Sequence, residues 1–152
     1  LYVLDDETPG QWKIGGAQRW WLHHALAALG RELEGRGGAL ILRRGRSAEV
    51  VAKVADEVGA AAIHATRHYE PWWRLAEADL GDRLTLHEGD VLYPPEQVQA
   101  GSGGAFKIYG PYFRTISKHL PPREPQPAPE RIAAPATLPP SDRLEDWQLL
   151  PT

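Results

Sequence analysis

The sequence predicts an α/β fold: a doubly wound parallel sheet, Rossmann-like or flavodoxin-like in its three layers, with helices on both faces. Three observations carry this expectation. Short apolar, β-branched runs alternate with longer segments of helical period, and charged or glycine-bearing turns separate them. Strands that are short, apolar and β-branched in such an alternation are expected to be parallel neighbours. Parallel neighbours need crossovers, and right-handed crossovers deliver helices to the faces of a sheet.

Tyr2 to Leu4 is the first apolar run, ending in Asp5-Asp6-Glu7 and the turn Thr8-Pro9-Gly10. After Gly15-Gly16, the residues Leu22, Leu26, Leu29 and Leu33 recur at helical spacing, which predicts a helix of about 17 residues with one apolar face. Gly35, Gly37 and Gly38 stop it. Ala39 to Leu42 reads as the second strand, followed by Arg43-Arg44-Gly45. Ser47 is the expected N-cap of a second helix, with Glu49 in its first turn. Val50, Val51, Val54, Ala55 and Val58 form its buried stripe, and Gly59 closes it. Ala60 to Ala65 reads as a third strand, Pro71 to Leu80 as a helix opened by its proline, and Arg83 to His87 as a fourth strand.

Glycine and proline divide the chain: all 15 glycines precede Pro111, whereas most of the 14 prolines lie from Pro121 onward. Residues 1–119 are therefore expected to form the α/β domain and residues 120–152 a proline-rich linker. A doubly wound sheet has its first strand in the middle, yet here a strand-like run begins at residue 1, so a preceding strand is expected to be missing.

At 152 residues the chain has the length of a single domain, and no apolar run approaches the roughly 20 residues that a bilayer span requires. The absence of cysteine removes disulfides, thiolate metal sites and a cysteine nucleophile, and favours a cytoplasmic location. With 17 basic against 20 acidic residues, the chain as a whole lacks the positive field of a general nucleic-acid binder.

In a doubly wound sheet, ligands gather where strands end at their carboxyl sides. The acidic run Asp5-Asp6-Glu7 sits at such an end and invites comparison with a receiver domain. No aspartate ends the next two strands and no lysine occupies a matching context, so a solvated turn or the edge of a ligand cleft is the better account. The six histidines suggest metal, but His23 and His24 point about 100° apart on a helix and His64 and His68 straddle a strand end. Hydrogen-bonded or surface histidine is expected, and no metal site. The paired glycines match neither the dinucleotide nor the P-loop pattern. Trp20-Trp21 and Trp72-Trp73 fall in the first turns of two helices, where aromatics either cover a helix–sheet seam or wall a flat heterocycle.

Longer strings carry a resemblance. YVLDDETPGQWKIGGAQRWWLHHALAALGREL resembles the second strand and following helix of the amino-terminal α/β domain of the DNA photolyase and cryptochrome family, most like proteobacterial cyclobutane-dimer photolyases. ALILRRG, EVVAKVADEVGA, AIHATRHYEPWWR and GGAFKIYGPYFR resemble the segments that follow, in the family's order, up to about residue 119. The family's first strand and its carboxy-terminal helical domain have no counterpart in the sequence.

The resemblance implies an antenna, light-harvesting domain of a deoxyribodipyrimidine photo-lyase, a carbon–carbon lyase that uses blue or near-UV light and reduced FAD to split cyclobutane pyrimidine dimers in DNA. FAD and the UV-damaged DNA belong to the helical domain in that family, so this chain alone is expected to be inactive and to carry no catalytic residue. The full-length protein is expected to be a monomer without a membrane partner. An antenna chromophore would sit in a cleft formed by Asp5, Asp6, Trp12, Lys13, Ile14 and Arg19, with Glu70 across from them. Trp72-Trp73 stands where folate-binding members carry an Asn-Glu pair, so a deazaflavin or flavin is expected rather than folate, or no antenna at all. Gly110 stands where the family commonly has threonine. A cryptochrome photoreceptor domain, or a free-standing flavodoxin-like binding module without photochemistry, are the alternatives.

Overall fold

The computed structural model describes residues 1–101, 103–122 and 124–151; Arg123 and Thr152, both within the expected linker, lie outside them. The fold is mixed α/β, with four short strands, β1 (Tyr2–Leu4), β2 (Leu42–Arg44), β3 (Ile63–Thr66) and β4 (Leu84–His87), and four α-helices, α1 (Gly16–Gly35), α2 (Ser47–Glu57), α3 (Pro71–Leu80) and α4 (Tyr109–Ile116). The first three helices stand where the periodicity puts them. The second and third strands lie one to three residues later than expected, because the ladder rather than the apolar run sets their limits: the Tyr2 N–H already bonds the Ile41 carbonyl at 2.8 Å. Helix α4 was not anticipated.

β1 and β2 are parallel, pairing Tyr2 with Leu42, Val3 with Arg43 and Leu4 with Arg44. β3 pairs with β4 in a second ladder, and no other strand of the described residues joins the two. The chain divides into two compact units, one of Leu1–Ile63, Tyr69–Thr85 and Ala128–Thr152, the other of His64–His68 and Leu86–Pro127.

In the first unit, α1 and α2 end in the same way. Gly37 (φ 84°) and Gly59 (φ 63°) take the left-handed conformation. The following N–H groups, of Gly38 and Ala60, reach back to the carbonyls of Leu33 and Ala55, both at 2.8 Å, which satisfies orphan carbonyls of the last turn. Of the four leucines on the expected face of α1, Leu22 and Leu26 are buried, while Leu29 is exposed. The core they enter contains Leu4, Leu42, Trp147 and Leu149, with Tyr2, Ile14, Leu40 and Leu144 packed at its edge. Two of its buried members thus come from the proline-rich segment, which turns through a 3-10 helix at Leu144–Trp147. That segment also covers the free edge of β2. The Leu42 N–H donates to Ser141 Oγ (2.9 Å) and the Leu42 carbonyl accepts from the Asp142 N–H (2.8 Å).

In the second unit, the Arg67 N–H bonds the His87 carbonyl (2.9 Å), and His64 Nδ1 lies 2.9 Å from His87 Nε2. These are histidines hydrogen-bonded across neighbouring strands.

Candidate functional site

Because β1 and β2 are parallel and in register, Asp5 and Asp6 leave the sheet at the same end as Arg44 and the Gly45 turn. The Gly45 N–H closes onto the Leu4 carbonyl at 3.1 Å. Gly45 adopts φ 139°, and a Cβ there would lie 3.1 Å from Val50 Cγ2, so the turn requires glycine.

The two aspartates have separate tasks. Asp5 is an organiser of backbone: its carboxylate accepts from the N–H groups of Glu7 (3.0 Å), Thr8 (2.9 Å) and Ser47 (2.7 Å) and from Thr8 Oγ1 (2.6 Å). Partial burial pushes its pKa up, but the hydrogen bonds from Thr8, Ser47 and Glu7 outweigh that and hold it below the ordinary carboxylate value. Asp5 thereby caps α2 from another strand. Ser47, expected as the N-cap, is instead the first helical residue; Arg46 occupies the cap position without a side-chain capping bond, and the buried Ser47 Oγ has no hydrogen-bond partner among the described residues. A carboxylate reaching the first helical N–H satisfies an orphan donor and meets the positive end of the helix dipole, which a serine hydroxyl does less well.

Asp6 is an ion-pair centre, bound to Arg19 of α1 and to Arg44 at 3.0 Å. Its charge, after burial, also helps raise the pKa of Tyr2. Arg44 is absent from the expected cleft set, although Arg43-Arg44 at the end of the second strand is one of the places where a doubly wound sheet gathers ligands.

The remaining expected residues distribute as follows. Gly10–Trp12 forms a 3-10 turn, leaving Trp12 68% exposed, and Lys13 follows it, exposed and with no ion pair among the described residues. Ile14 turns inward and packs on the core. Glu70 is the N-cap of α3, its carbonyl accepting from the Trp73 N–H at 3.1 Å, and among the described residues no hydrogen bond or ion pair joins it to the other six. The structure therefore brings Asp6 and Arg19 together and adds Arg44, ties Asp5 to the turn after β1 and to the start of α2, and leaves Trp12 and Lys13 open on the adjoining loop. This strand end and the loop after it thus carry a flat exposed indole, an ammonium with no ion pair among the described residues, and two guanidiniums on one carboxylate. Among the described residues, no group of three or more His, Asp or Glu is placed to hold a metal, and no helix is long and apolar enough to cross a membrane.

A model of the family described as DNA photolyase matches residues 1–130. The chain belongs to the DNA photolyase family. Within that family it is 36% identical over 146 residues to a deoxyribodipyrimidine photo-lyase of Agrobacterium fabrum, a match covering 91% of this chain and 30% of that protein. It is 41% identical over 104 residues to a deoxyribodipyrimidine photo-lyase of Streptomyces griseus, covering 62% of this chain and 23% of that one. A cryptochrome DASH of Natronomonas pharaonis is 29% identical over 135 residues, covering 84% of this chain and 28% of that protein. Among solved structures, a bacterial class III photolyase from Agrobacterium tumefaciens superposes on 99% of this chain and 32% of its own with a TM-score of 0.87 and 33% identity. The chain thus spans about a third or less of these photolyases, and the α/β architecture expected from the alternation is the photolyase one.

Proposed function

We propose that this chain is the antenna-side α/β domain of a deoxyribodipyrimidine photo-lyase that splits cyclobutane pyrimidine dimers in UV-damaged DNA under blue light. The superposition of nearly the whole chain on a class III photolyase is the observation that supports this most. A part of the longer polypeptide outside this chain would hold FAD, which would supply the electron that opens the cyclobutane ring.

The role of this domain's own residues is to position an antenna chromophore. Trp12 offers the stacking wall, Lys13 and Arg19 the cations for its polar rim, and Asp6 fixes Arg19 through their ion pair, with Arg44 as a second strut. Ile14 anchors the loop into the core and Asp5 holds the turn on which the others stand. Glu70 would close the far side.

The test of the reading is light-driven repair. Full-length protein with reduced FAD is expected to restore UV-irradiated oligothymidylate in blue light and not in the dark, whereas residues 1–152 with added FAD should show no repair. Absence of repair by the full-length protein would move the assignment to a photoreceptor, the reading that relatives of the cryptochrome type favour. Repair by residues 1–152 alone would overturn the division of labour.

The antenna site carries its own prediction. In the full-length protein, the double change Lys13→Ala and Arg19→Ala is expected to remove absorbance beyond that of FAD, while repair per photon absorbed by FAD stays unchanged. Retention of a second chromophore would place the antenna elsewhere. The absorbance spectrum of the released chromophore distinguishes deazaflavin or flavin from folate.

A further inference from the structure

We propose that the exposed face of α4 and the residues flanking it are a contact surface for single-stranded nucleic acid, with Tyr109 and Phe113 as a stacking platform, Arg114 on the helix and Lys107 and Lys118 at its two ends as phosphate contacts. The surface lies wholly within the second unit. Tyr109 and Phe113 are one helical turn apart, 72% and 49% exposed, and their rings are stacked at 5.6 Å with an interplanar angle of 23°. Ile108 beside them is exposed as well. Aromatic area of this size left open in a helix rich in apolar residues calls for a planar or apolar partner.

Charge selects which partner. Between Glu96 and Glu124 the sequence has no acidic side chain, while Lys107, Arg114 and Lys118 all fall there. None of the three enters an ion pair among the described residues, in a chain where most arginines outside this stretch do. Arg114 continues the helical row that starts at Gly110, next to the row that carries Tyr109 and Phe113, and Lys118 follows in the 3-10 turn Ser117–His119 that succeeds α4. Gly110 has a consequence here: a Cβ at that position would lie 3.8 Å from Arg114 Nη1, so the guanidinium runs back over the bare backbone toward the start of the helix. A threonine would add a branched side chain against that guanidinium. The result is an aromatic row with cations alongside it and no acid among them, the combination that binds bases by stacking and the strand by its phosphates without sequence readout. An acidic protein partner would use the cations and leave the stacked rings unexplained; an apolar one would leave three uncompensated cations at its edge.

The proposal does not depend on the repair activity, since it is read by binding in the dark. Full-length protein is titrated into a fluorescein-labelled oligothymidylate and followed by anisotropy across a salt series. Arg114→Ala with Lys118→Ala is expected to lower the magnitude of the log–log salt slope by about 1.4. Tyr109→Ala is expected to weaken binding about 5- to 150-fold, and Tyr109→Phe, which keeps the ring, to restore it. Circular dichroism checks that these surface variants fold. Hydrogen exchange localises the contact: protection of residues 107–119 should appear on adding the oligonucleotide. An unchanged slope and affinity in the variants would overturn the proposal. So would amides of 107–119 equally protected with and without oligonucleotide, because another part of the polypeptide would then cover the face.

Discussion

Replacing Trp147 by alanine is expected to destabilise the first unit by about 3–5 kcal/mol, a large share of the roughly 5–15 kcal/mol by which a domain is stable. The indole is 4% exposed and sits in the cluster with Leu4, Leu22, Leu26, Leu42 and Leu149, so its removal leaves a cavity between β1, β2 and α1. Tyr2 packs on it with ring centroids 6.2 Å apart, and loses that partner as well. A polar chain is also undone. Trp147 Nε1 donates to Asp142 Oδ2 at 3.1 Å, and the same Asp142 presents its N–H to the Leu42 carbonyl. Without the indole, the segment that covers the β2 edge loses its anchor, and β2 regains unpaired backbone groups. Urea unfolding, with Trp147→Phe as the milder control, measures the effect. A loss below about 1 kcal/mol for the alanine variant would mean that the terminal segment is only laid over the core and does not belong to it.

The reach of the sequence can be judged from this same segment. Helices α1 and α2 were legible because each combines a 3.6-residue stripe with a local stop, Gly37 and Gly59, and α3 because Pro71 opens it, and these signals are read within one turn of the chain. Trp147 and Leu149 were not. Their partners are Leu4 and Leu42, more than a hundred positions away, and a window rich in proline shows no periodicity that could announce burial. Helix α4 was hidden for a related reason: Gly110 and Pro111 in its first turn read as a turn, although proline is tolerated there because its missing N–H would be an orphan in any case. In the candidate site, the placing of Asp5, Asp6 and Arg19 in one cleft was legible from their positions near a strand end, and the structure joins Arg19 to Asp6. What could not be read was the division between Asp5 and Asp6. Adjacent residues leaving a strand point to opposite sides, and which side faces the start of α2 depends on the register of β1 against β2, set by pairing that no local pattern encodes.

That division makes the second large effect predictable. Asp5→Ala is expected to destabilise the first unit by about 2–4 kcal/mol, because it removes the cap of α2 and the acceptor for the Glu7 and Thr8 N–H groups together. Asp6→Ala breaks only partly exposed ion pairs and should cost about 1 kcal/mol or less. The contrast is the test, since both changes remove one carboxylate from the same strand end. The pH dependence of Asp5 has a definite sign. Its pKa is lower in the folded protein than the ordinary carboxylate value, so the unfolded chain takes up the proton first as pH falls. The stabilisation from its charge is fully present above the unfolded value and is lost as pH falls through the lower folded one. Asp5→Asn keeps a carbonyl acceptor but no charge, and its stability curve should be flatter on the acid side than that of the parent. The difference between the two proteins is expected to be greatest near neutral pH and to shrink below about pH 4. A gap between parent and Asp5→Asn that stays constant from pH 7 to the acid limb would show that the carboxylate acts at this turn by shape and hydrogen-bond count, with its charge contributing nothing to the capping of α2.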